Sequence, residues 1–95
     1  MSKFTISYTK EKFLITNEPA MKVAMDVLQL LNKNDKITIK GKGESCPVTV
    51  SVANIITQNI LNGIAKTEKI SVDSEILDDG RLISTLEIII IKISS

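Results

Sequence analysis

The chain has no histidine and no tryptophan, a single cysteine, two prolines, and only one tyrosine and two phenylalanines among its 95 residues. Without histidine, Cys46 has no imidazole partner, which excludes a zinc site or a cysteine/histidine catalytic pair built from one chain. A lone cysteine also excludes an internal disulfide and points to a reducing compartment. No apolar run reaches the length of a membrane span, and the opening segment MSKFTISYTKEKF lacks the long apolar stretch of a secretion signal. The expectation is a cytoplasmic protein with no membrane partner. A dominant charge is missing too. Twelve Lys and Arg against eleven Asp and Glu leave a formal net charge of +1, so no global field draws the chain to polyanions and any basic face must be local.

What is there suits one small folded domain. At 43% hydrophobic and 24% charged residues, a chain of this length buries roughly two-thirds of its unfolded surface around a single core. We assign residues 12–95 to that domain and 1–11 to a flexible N-terminal arm, whose Phe4 and Tyr8 are too few to define a base-stacking surface.

Along the domain, KFLIT at Lys12 to Thr16 reads as a short strand that stops at NEP. Asn17 or Glu18 suits a helix cap, and Pro19 suits a first turn. Ala20, Val23, Ala24, Val27, Leu28 and Leu31 then follow helical spacing, with Lys22, Asp26 and Gln29 on the other side. NKND, from Asn32 to Asp35, ends that helix. KITIK, from Lys36 to Lys40, alternates at the strand period and predicts that Ile37 and Ile39 are buried. A second helical stripe follows at Val48, Val52, Ile55, Ile56 and Ile60 and stops at Asn62 and Gly63. Its β-branched content lowers helix propensity, but its length and period exclude a strand.

Between strand and second helix lies GKGES, Gly41 to Ser45. Two glycines flanking a lysine are ordinary turn chemistry; the sharper reading is a loop that brings backbone N–H groups to phosphate. Cys46, just beyond, reads as a small packed residue with no further role.

The last third reads as a hairpin, KISVDSEIL and LISTLEIIIIKI joined through DDG. A two-residue turn would set Glu87 beside the core. A three-residue loop of Asp78, Asp79 and left-handed Gly80 pairs Ile76 with Leu82, Ser74 with Ser84, Val72 with Leu86 and Ile70 with Ile88, which gathers the apolar groups on one face. That register is the one we predict. The element order, with right-handed crossovers, places both helices on one face of a four-stranded mixed sheet, an α/β two-layer sandwich. Ile83, Ile89 and Ile91 then project from the opposite face, and three large side chains in one row predict a dimer interface.

The NEPAMKVAMDVLQLLN segment, the strand-loop-helix ITIKGKGESCPVTVSVANII and the hairpin DDGRLISTLEIIIIK together resemble the Alba family of archaeal chromatin proteins, over about residues 12 to 93. The resemblance rests on this collinear order. It implies a fold shared with the C-terminal domain of a bacterial translation initiation factor, a homodimer, and sequence-independent binding of DNA or RNA. In that mode the loop after the second strand and the start of the second helix sit over the duplex, while the hairpins reach along the minor grooves. Lys40 and Lys42 then become phosphate contacts. The remaining candidates are Arg81 on the hairpin, Lys22, and Lys10 and Lys12 near the N-terminus.

This chain also departs from the family pattern. Where members typically carry two lysines before the helix-one proline, at which modification tunes affinity, it has Asn17 and Glu18. Glu44 replaces a usual arginine, and Pro47 and Val48 replace a Ser-Lys pair. Losing several phosphate contacts per subunit weakens binding steeply at physiological salt. Two readings stay open: a dimeric nucleic-acid-binding protein weaker than typical members and chromosome-associated, or an Alba-like interaction module or paralogue's heterodimer partner that binds no nucleic acid itself. No catalysis, metal or cofactor is expected, because no histidine offers a base and Asp78 and Asp79 are turn residues.

Overall fold

A computed structural model describes residues 12–93; the expected arm, with Phe4, Tyr8 and Lys10, lies outside them. The elements run β1 (Lys12–Leu14), α1 (Ala20–Asn34), β2 (Lys36–Lys42), a 3-10 turn (Gly43–Ser45), α2 (Cys46–Asn54) continued by a π-helical turn (Ile55–Ile60), β3 (Ala65–Ile76) and β4 (Leu82–Lys92). The sheet order is β1-β2-β4-β3, with β1 and β2 parallel and the other neighbours antiparallel. Both helices pack on one face, against β2 and β4. This is the predicted two-layer sandwich. Among the described residues, no helix is long and apolar enough to cross a membrane.

Helix α1 buries Val23, Ala24, Val27 and Leu31, the stripe its spacing requires. Its start differs from expectation. Pro19 itself occupies the cap position, and its ring has no acceptor to make a side-chain cap bond, while Glu18 Oε1 accepts from Thr16 Oγ1 at 3.3 Å and from Lys22 Nζ at 3.4 Å. At the other end Asp35 turns left-handed, with φ 64°, and its N–H donates to the Leu31 carbonyl.

The second helix forms despite its β-branched residues, because Val52, Ala53 and Ile56 bury completely or nearly so against the sheet. It widens at its end, where the Leu61 N–H donates to Ile56 O at 2.8 Å and Thr57 Oγ1 donates to Ala53 O at 2.9 Å.

The hairpin adopts the three-residue loop, with Ile76 opposite Leu82, Ser74 opposite Ser84, Val72 opposite Leu86 and Ile70 opposite Ile88. Gly80 takes φ 88°, and its N–H donates to Leu77 O at 2.9 Å. Gly80→Ala therefore strains the turn with no contact to lose; we expect a loss of about 1 kcal/mol in urea unfolding.

Ile37, Ile39, Leu86, Ile88 and Ile90 form the sheet side of the core. The helices stop short of the rest of that face. From Ile70 onward the hairpin has apolar side chains on the helix-bearing side that no helix among the described residues covers: Ile70 is 59% exposed, Val72 74%, Ile76 73% and Leu82 70%. The expected outward row, Ile83, Ile89 and Ile91, does lie on the opposite face, yet each is half-buried within the protomer. The sharper apolar exposure is thus on the hairpin's other side.

Candidate nucleic-acid interface

The alternation of β2 puts Ile37, Ile39 and Gly41 toward the helices and Lys36, Thr38, Lys40 and Lys42 on the helix-free face. Gly41 and Lys42, the first two residues of the GKG motif, therefore serve opposite sides of the sheet. A Cβ on Gly41 would collide with Thr49 Oγ1 and lie 2.8 Å from the Ser45 carbonyl oxygen, so this glycine lets the start of α2 approach the sheet. The fully buried Thr49 hydroxyl donates to that same Ser45 carbonyl at 2.7 Å. Gly43, with φ 53°, turns the chain out of the strand, and a Cβ there would sit 2.9 Å from Ile83 Cδ1. Both glycines thus have structural causes, and neither requires a phosphate. Cys46 is half-buried, its thiol 3.7 Å from Gly41 O and 3.8 Å from Ser84 O.

The turn also meets the link between β1 and α1. Ser45 Oγ donates to Asn17 Oδ1 at 3.4 Å, which brings the segment carrying Asn17 and Glu18 to the segment carrying Glu44. The positions where the resemblance leads one to expect basic residues converge on one edge, and here that edge is neutral to acidic.

Five of the candidate cations fall among the described residues, and every one has a carboxylate partner. Lys40 Nζ and Lys12 Nζ share one oxygen of Glu87, at 3.7 Å and 3.2 Å. Lys42 Nζ lies 3.1 Å from Glu75 Oε1. Arg81 Nε, exposed at the hairpin turn, lies 2.7 Å from Asp79 Oδ2. Lys22 sits in the helix layer between Glu18 and Asp26, 3.4 Å and 3.3 Å away. Its hydrogen bond to Asp26, and then the charges of both acids, hold its ammonium above the ordinary lysine range.

Lys12, Lys40 and Lys42 share the helix-free face, Arg81 stands at the far end of the hairpin, and Lys22 is on the other layer. Beside Lys40 a polar cleft of about 200 Å³ is lined by Ser71, Asp73, Ser74, Glu75, Thr85 and Glu87. Sequence reasoning missed Glu75 and Glu87. The available signal was the strand alternation that puts Glu87 opposite the core; what it lacked was the pairing of β2 with β4, which sets Lys40 directly across from Glu87.

A strand-helix-strand-helix-hairpin chain in a β1-β2-β4-β3 sheet, with both helices on one side and a hairpin extending past β2, defines the class of two-layer sandwich that the comparisons also find. The Alba family model matches residues 11–74. Among solved structures, Alba from Thermoplasma volcanium superposes with a TM-score of 0.71 at 29% identity, covering 85% of this chain and 99% of that one. ALBA1 from Trypanosoma brucei superposes with a TM-score of 0.72 at 12% identity, covering 90% of this chain and 72% of that one, a likeness of fold alone. The chain belongs to the Alba family.

Proposed function

We propose that this Alba protein works as a dimer that binds the backbone of DNA or RNA without sequence preference, more weakly than a member with a full set of basic contacts. The observation that carries the reading is the pair Lys40 and Lys42 on β2, running into the Gly43–Ser45 turn, with Arg81 exposed at the tip of the hairpin beyond them. Phosphate contacts from lysine and arginine supply affinity and no base discrimination. The acidic edge at Glu18 and Glu44, together with the carboxylate partner of each cation, accounts for the weakness.

A second reading is favoured by the same ion pairs joined to the exposed hairpin face: an interaction module that pairs with an Alba-like paralogue and leaves nucleic acid to it. One titration series separates the two. With short mixed-sequence duplex DNA and single-stranded RNA across a range of salt, Lys42→Ala should weaken binding about equally for all sequences and make the salt slope shallower by about one. Glu44→Arg should strengthen binding by removing a repulsion and adding a contact. If the wild type does not bind at low salt and Glu44→Arg creates no binding, the nucleic-acid reading fails and the interaction module replaces it.

A further inference from the structure

We infer that Glu87 and Glu75 are built-in competitors of phosphate, intramolecular carboxylates that occupy the β2 lysines and set how tightly this surface holds a polyanion. The inference rests on the nucleic-acid reading above and adds its regulation by charge. Glu87 lies on β4, one of the two inner strands, on the helix-free face directly opposite Lys40, and one of its oxygens bridges Lys40 and Lys12. Lys40 and Glu87 are the most sheltered partners of these pairs, with side chains 25% and 29% exposed, so water screens this contact less than an ordinary surface pair. Glu75 comes from β3, two strands away from Lys42, and reaches it across β4 at 3.1 Å. Each carboxylate presents the oxygen that a phosphate would otherwise present.

A phosphate arriving at Lys40 or Lys42 has two routes. Either the ammonium leaves its carboxylate, or the ammonium stays paired and the phosphate approaches a locally neutral site with an anion beside it. Both routes lower affinity. The second route also lowers the number of counterions released per complex, because a lysine still held by glutamate neutralises no phosphate. The device is specific to these pairs. Glu68 also pairs with a lysine, Lys36 at 3.6 Å, but at the far end of β2 and beside a strand irregularity in β3.

The test compares Glu87→Gln, Glu75→Gln and Glu68→Gln, each of which removes one negative charge and one ion-pair acceptor with little change of shape. Binding is titrated with the same duplex DNA and single-stranded RNA over a salt series, and thermal melts confirm folding. Glu87→Gln and Glu75→Gln should each tighten binding about threefold to tenfold at low salt, and Glu87→Gln should steepen the salt slope by about one. Glu68→Gln should change affinity less than about twofold, which separates local release of a lysine from a general gain in net charge. If the wild type binds and Lys42→Ala weakens it, but Glu87→Gln and Glu75→Gln do no more than Glu68→Gln, the competitor role is overturned and the nucleic-acid reading stands. Absence of binding by the wild type, Glu44→Arg, Glu87→Gln and Glu75→Gln at low salt overturns both.

Discussion

Gly41→Ala is expected to lower the unfolding free energy by about 3 kcal/mol, a large fraction of the roughly 5–15 kcal/mol that stabilises a small domain. The added methyl group has no free space. It overlaps the Thr49 hydroxyl and comes within 2.8 Å of the Ser45 carbonyl oxygen. Thr49 is fully buried, so neither β2 nor the start of α2 moves without opening the core behind them. Urea unfolding followed by circular dichroism measures the loss. Adding Thr49→Ala to Gly41→Ala should recover only part of it, since the backbone carbonyl stays in place. A stability within about 0.5 kcal/mol of wild type would show that α2 does not pack this closely on β2. The contrast with Gly80 is instructive, because that glycine has nothing within 4 Å of an added Cβ and owes its presence to φ alone.

The other large effect concerns self-association. Val72→Asp together with Leu82→Asp should raise the dissociation constant of the proposed dimer by about 100-fold or more, measured by sedimentation equilibrium, while leaving the melting temperature of the protomer nearly unchanged. Both side chains are at least 70% exposed in one protomer, so burying them against a second copy contributes roughly 1.5–3 kcal/mol each. Two-fold symmetry makes every such contact count twice. The row named from the sequence is the internal comparison: Ile89→Lys with Ile91→Lys places two charges on half-buried positions of the helix-free face. If that pair separates the protomers and the Val72/Leu82 pair does not, the interface lies on the helix-free face. If neither alters the association state, it lies elsewhere.

The fold was legible to an unusual depth. Helix α1 showed itself through one apolar stripe, and β2 through strict alternation. The hairpin register followed from asking which loop keeps Glu87 away from the core. These inferences concern residues close in sequence, and turn chemistry and side-chain period act over a few residues. The candidate site was legible only as a set of names. Lys40, Lys42 and Arg81 could be picked out, and the acidic replacements at Glu18 and Glu44 could be read directly from the chain. Their carboxylate partners could not, apart from the near neighbours of Lys22 and Arg81.

The element order, the buried stripe of α1, the strand faces and the three-residue hairpin loop thus follow from local pattern, because each is the cheapest way for a short segment to satisfy its backbone and hide its apolar side. In the second helix only Val52 and Ile56 of the expected stripe are buried, with Thr49 and Ala53 beside them. Coverage and charge state of the surface do not follow from pattern. Whether a strand face is covered depends on how far two helices of limited length extend across a longer hairpin. Whether a lysine is free depends on which strand is laid beside its own. Packing over the sheet left Val72, Ile76 and Leu82 bare, pressed α2 against Gly41 and set Glu87 between Lys12 and Lys40. The Glu87 bridge joins residues far apart along the chain, and it exists only once the sheet has assembled in the order β1-β2-β4-β3.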